Sequence, residues 1–120
     1  MEMINRRVPN IIIPLDKKSE ELLFRNEDST SGLYYTLPIC REDLDLLQKE
    51  DFFEKINTKF NLNIDEYEEE YIEISKQKKI LTYLENEYTS DDYICDFYRK
   101  KIILFINISL KLNKPIFIFL

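Results

Sequence analysis

The sequence predicts an α+β fold that is mainly helical, with three to four helices packed on a small sheet made by N-terminal strands and a C-terminal strand. Three observations carry this. Residues 1–40 hold β-branched and aromatic runs bounded by prolines, and residues 39–112 hold apolar positions at helical spacing. The last five residues, Ile116–Leu120 (IFIFL), are wholly apolar and follow Pro115. The stretch Asp91–Leu120 has the longest hydrophobic surface in the chain and organises the rest. At 120 residues the expectation is one compact domain over 1–120, long enough to bury roughly two-thirds of its unfolded surface.

Val8–Leu15 (VPNIIIPL) reads as a short strand whose prolines place it at a sheet edge or mark its ends. Asp16–Ser19 reads as a turn, and Glu20–Arg25 fits either a strand or one helical turn. Asn26–Gly32 is a loop by composition, and Leu33–Leu37 (LYYTL) is a strand stopped by Pro38. Then the period changes. Cys40, Leu44 and Leu47 share a helical face, and Phe53, Ile56 and Phe60 continue at i, i+3, i+7. Lys49–Asp51 either separates two short helices or lies inside one.

Asn61–Ile64 breaks the pattern, and Asp65 suits an N-cap with Glu68 as its capping-box partner. The spacing predicts helix from there to about residue 88, on a stripe of Tyr67, Tyr71, Ile74, Leu81, Leu84 and Tyr88. The polar run Ser75–Lys79 interrupts it. Thr89–Asp92 gives a loop and a new N-cap. In the final helix Asp96, Lys100, Asn107, Lys111 and Lys114 fall on one narrow stripe, so the rest of the helix is expected to be buried. Pro115 ends it, and Ile116–Leu120 is expected inside the sheet, beside Ile11–Ile13 or Leu33–Leu37.

The composition excludes several chemistries. The chain has no His and one Gly, so it lacks Ser-His and Cys-His couples and Gly-rich phosphate loops. Cys40 and Cys95 are too far apart in sequence for a zinc or redox motif, and are expected as free, buried thiols in a reducing cytoplasm. No secretory leader is recognisable in the first ten residues. Lys111 and Lys114 oppose a membrane span, each costing about 2.5–3.5 kcal/mol at mid-bilayer. No catalytic residues, metal site or cofactor are expected. Carboxylates at Asp43 and Asp45, or at Glu66, Glu69, Glu70 and Glu73, have the chemistry for Mg²⁺ or Ca²⁺. A solvated helix face with a dipole-favourable first turn accounts for them more simply.

Charge is distributed unevenly. The net formal charge is −6, yet residues 41–75 hold 12 acidic and 4 basic side chains, while residues 76–120 hold 5 and 8. An acidic face attracts a basic partner and repels nucleic acid and anionic lipid. The expected function is therefore a small acidic, cytoplasmic module, not an enzyme, that neutralises a basic protein partner such as a toxin or nuclease. Bacterial toxin immunity proteins and antitoxins are of this general type. The candidate partner-binding residues are Asp43, Asp45, Glu66, Tyr67, Glu69, Glu70, Tyr71 and Glu73, with Tyr67 and Tyr71 as aromatic anchors one helical turn apart. Direct nucleic-acid or membrane binding is not expected. Two alternatives stand beside this: a structural or regulatory subunit completed through the apolar C-terminus, and a phage-type nuclease inhibitor imitating nucleic acid.

Overall fold

The computed structural model describes residues 8–25, 31–65 and 70–120. Among them are four strands, β1 (Asn10–Pro14), β2 (Tyr34–Pro38), β3 (Glu70–Ile72) and β4 (Ile116–Phe119). Five helices accompany them: α1 (Lys17–Phe24), α2 (Arg41–Lys49), α3 (Phe52–Phe60), α4 (Ile74–Asn86) and α5 (Tyr93–Leu112). The fold is α+β and mainly helical, as the sequence predicts, with one helix more than expected.

The strands form one antiparallel sheet in the order β2-β1-β4-β3. The unbroken apolar runs of β1 and β4 have a simple cause: both faces of the sheet are covered. Ile11, Ile13, Ile116 and Ile118 point into the larger core beneath α2–α5, while Ile12, Phe117 and Phe119 meet Leu23 and Tyr34 on the α1 side. Strand side chains alternate between faces, so a strand buried on both sides has no polar positions to spare.

β1 is an inner strand, so of the two placements open to its prolines only the ends are realised. Pro14 is its last residue, and pairing with β4 covers only Asn10–Ile12, short of the position lacking an N–H. β4 pairs with β1 on one side and β3 on the other, which places Ile116–Phe119 inside the sheet and beside Ile11 as expected.

Two stretches differ from the sequence reading. Asp16–Ser19 is not a turn but the start of α1, whose Asp16 N-cap accepts the Ser19 amide at 2.8 Å. Glu70–Ile72 is a strand, so among the described residues the helix expected from Asp65 to residue 88 is instead β3 followed by α4, while the capping-box partner Glu68 lies outside them. Ser75–Lys79 then lies within α4 with Gln77 turned inward. The two alternatives at Lys49–Asp51 resolve into separate helices, with Asp51 in the left-handed region at φ 58°.

Hydrogen bonds from Ser19 hold the Asp16 carboxyl below its ordinary pKa. A depressed folded-state pKa contributes stability above the unfolded value of about 4 and loses it as pH falls through the folded value. Wild type is therefore expected to lose stability relative to Asp16→Asn below about pH 4, read from paired urea titrations between pH 2.5 and 7. A constant gap across that range would remove this role for Asp16.

α5 begins at its Asp92 cap, which accepts the Cys95 amide at 3.0 Å, and ends at Asn113 in the left-handed region, φ 57°. Its inner face is Cys95, Tyr98, Ile102, Ile106 and Ser109. The outer face is wider than the polar stripe suggests, because Tyr93 is 80 % exposed and Phe97, Leu104 and Leu112 are also exposed. Helices α2 and α4 pack against it. Cys95 is buried, whereas Cys40 is exposed, contrary to the expectation of two buried thiols.

Candidate functional site

Of the residues singled out from sequence, the five that the structure describes, Asp43, Asp45, Glu70, Tyr71 and Glu73, are divided between α2, β3 and the start of α4. Asp43 on α2 accepts a hydrogen bond from the Tyr98 hydroxyl at 2.7 Å, tying α2 to α5. Burial first, and then this carboxylate, push the Tyr98 phenol above the usual range, so it remains a donor. Asp45 is exposed and lies 3.9 Å from Arg41, one turn back. Glu70 accepts backbone amides from Asn63 at 3.0 Å and Tyr71 at 3.1 Å. Its carboxylate thus fastens the 61–65 loop to the sheet.

Tyr71 lies on the α1 side, with its ring 5.0 Å from Phe24 and 6.1 Å from Phe117. As neighbours in a strand, Glu70 and Tyr71 point to opposite faces. Glu73 is exposed at the N-cap of α4 without a side-chain capping bond. Glu66, Tyr67 and Glu69 lie outside the described residues. The single helix face expected to carry Glu66, Glu69, Glu70 and Glu73 does not form, because Glu70 is in a strand and Glu73 precedes a helix.

Acidic side chains converge instead at the corner between α2 and α3. Asp51, Glu54 and Asp65, together with Gln48, rim a groove of about 210 Å³ floored by Phe53, Ile64 and Leu120. Its construction is local. A left-handed residue at Asp51 turns the chain sharply from α2 into α3, a conformation that Asp tolerates better than most residues. Phe52 and Phe53 then enter the core and leave Glu54 one turn along the outer face.

Asp65 is brought to the same place by Asn57. This side chain donates to the Ile64 carbonyl at 2.9 Å and accepts the Ile64 amide at 2.8 Å. The amide group therefore pairs with the loop backbone much as a neighbouring strand does. Ile64 is pulled into the core and Asp65 remains at its margin. Sequence reading missed the corner because Asp51 and Asp65 served there only as punctuation, a helix break and a cap. The Asp51–Glu54 spacing on a helix start was the available signal.

Beyond the corner, the outer face of α3 becomes basic. Lys55 lies over the Tyr88 ring at 5.4 Å and Lys59 over the Tyr83 ring at 5.4 Å, and Lys59 also pairs with Glu87 at 2.9 Å. Burial raises the Tyr83 phenol above its ordinary pKa. Among the described residues, no group of three or more His, Cys, Asp or Glu side chains is placed to hold a metal ion, and no helix is long and apolar enough to cross a membrane. A scan against protein-family models and searches of curated proteins and solved structures return no match to this chain.

Proposed function

We propose that this chain is a small protein-binding module that captures a basic partner at the Asp51–Glu54–Asp65 corner, and that it is not an enzyme. The observation that supports this is the groove itself: three carboxylates around an apolar floor. Such a site suits an Arg or Lys, whose stem packs on Phe53 and Ile64 while its charge meets the rim. Neutralising a toxin or nuclease by covering its basic cleft, as an immunity protein or antitoxin does, is the use that best fits this chemistry. Charge would set the rate of encounter and the apolar floor the lifetime of the complex.

The test uses an amphipathic Lys/Leu peptide titrated into the ¹⁵N-labelled chain. Amide shifts are expected at Gln48, Asp51, Glu54 and Asp65. Asp51→Asn with Glu54→Gln is expected to weaken binding about tenfold, for two charge-assisted contacts of roughly 0.7 kcal/mol each. Asn keeps the left-handed preference at position 51. Equal binding by the double variant would overturn the assignment.

A second reading, an assembly subunit, is favoured by the outer face of α5. Tyr93, Phe97, Leu104 and Leu112 form an exposed apolar stripe. The same reading cannot rest on Ile116–Phe119 as an open edge, since that strand is paired on both sides.

A further inference from the structure

The acidic corner is one end of a longer furrow whose polarity inverts along its length. The spacing of Asp51, Glu54, Lys55, Thr58 and Lys59 puts all five on one face of α3, and all are exposed. The 210 Å³ groove shares Asp51 and Glu54 with a second depression of about 520 Å³. That depression shares Lys59 and Tyr83 with a third of about 420 Å³, which adds Phe60, Lys78, Lys79 and Glu87, the last paired with Lys59 at 2.9 Å. The Asp51, Glu54 and Asp65 end is thus net acidic, the Lys78 and Lys79 end net basic once Glu87 is set against Lys59, and Tyr83 lies between them. The run from position 51 to position 59 spans about 12 Å at 1.5 Å per residue. Lys78 and Lys79 form no ion pair among the described residues, and both are exposed.

We propose that this furrow docks a partner segment with segregated charges, basic at one end and acidic at the other, with an apolar side chain between them. The proposal rests on the acidic-corner reading for the basic end of that segment and adds the acidic end. Charge complementarity selects the occupant. A uniformly basic segment long enough to fill the furrow would meet Lys78 and Lys79. A uniformly acidic one would meet Asp51, Glu54 and Asp65. Juxtaposed like charges discriminate against both. The apolar residue has Tyr83 and Phe60 to pack on, whose rings already meet edge to face at 5.7 Å.

Three helical peptides of equal length distinguish the outcomes when titrated into the ¹⁵N-labelled full chain at low salt. One carries Lys and Glu segregated about a central Leu, one has the same composition with charges alternating, and one is all-Lys. The segregated peptide is expected to bind about tenfold more tightly than the alternating one and to shift amides over 51–59 and 78–83. Lys78→Glu with Lys79→Glu is expected to abolish that advantage while leaving the all-Lys peptide bound at the corner.

If the segregated peptide gains nothing over the alternating one while the all-Lys peptide still shifts Asp51 and Glu54, the furrow proposal is wrong and the acidic corner stands. If the all-Lys peptide leaves those amides unmoved, the corner reading fails and takes this proposal with it. Self-association seen by sedimentation and abolished by Lys78→Glu/Lys79→Glu would assign the furrow to a second copy and overturn the partner-segment assignment.

Discussion

Gln77→Leu is expected to destabilise the fold by about 3 kcal/mol, a large share of the roughly 5–15 kcal/mol that holds a domain together. Gln77 is completely buried. Its amide donates to the carbonyls of Ile72 at 2.9 Å and Lys114 at 3.0 Å, and its oxygen accepts the Ser109 hydroxyl. Ser109 is equally buried, and its single hydroxyl hydrogen is shared between the Gln77 oxygen and the Ile106 carbonyl, 2.9 Å away. One side chain therefore joins the end of β3, the C-terminal turn of α5 and the lead into β4.

Leucine fills a similar volume but leaves the buried acceptors without their donor, at about 1–3 kcal/mol for each buried group left unsatisfied. Because Gln77 and Ser109 share a bond, their substitutions should not add. Gln77→Leu with Ser109→Ala is expected to be less damaging than the two single changes combined. Urea denaturation of the four-membered cycle measures both effects. A single Gln77→Leu variant as stable as wild type would show that these bonds are replaceable.

Phe52→Ala is expected to cost about 3–5 kcal/mol. Phe52 is fully buried in the first turn of α3, with its ring 5.1 Å from Phe53 and 5.3 Å from Tyr88, both edge to face. Truncation removes the transfer energy of the ring, two aromatic contacts and the packing around the vacated space. For a chain of this length the midpoint of thermal unfolding should fall by about 12–20 °C, using roughly 2.1 cal/mol/K per residue for the entropy. Phe52→Leu should retain most of the stability. The substitution also reaches the acidic corner, because the burial of Phe52 fixes the backbone on which Asp51 turns. A fall of only a few degrees would mean that the neighbouring side chains close the gap.

Legibility in the sequence followed burial. β1 and β4 could be read because isoleucine in β1, and isoleucine with phenylalanine in β4, fill both faces, and α5 because Asp92 caps a long apolar run that Asn113 and Pro115 close. α1 was obscured by Asp16, Lys17, Lys18 and Ser19. These look like a turn until Asp16 is seen to cap, and Ser19 is buried and accepts the Leu33 amide at 2.7 Å. β3 was hidden for a different reason. Its three residues lie in a run of glutamates and tyrosines with good helical spacing, and only pairing with β4 makes Glu70–Ile72 a strand. Tertiary pairing overrode the local pattern.

The candidate site suffered most from this, since the expected carboxylate face depended on that helix continuing. Asp51 and Asp65 approach each other only through the left-handed turn and the Asn57 clasp. Neither contact leaves a periodic signature.

The position of β4 between β1 and β3 also has a consequence for biosynthesis. β1 and β2 lie within 29 residues of each other and can pair early, with α1 beside them. The other side of β1 must wait for Ile116–Phe119. About 80 residues separate β2 from β4, so at 5–20 residues per second the ribosome needs about 4–16 s to supply the missing strand. For that interval the edge of β1 at Ile11 and Ile12 is expected to stay open, the kind of surface on which chains pair wrongly. Yield in a host should then depend on elongation rate and chaperone supply, even with the folded protein unchanged.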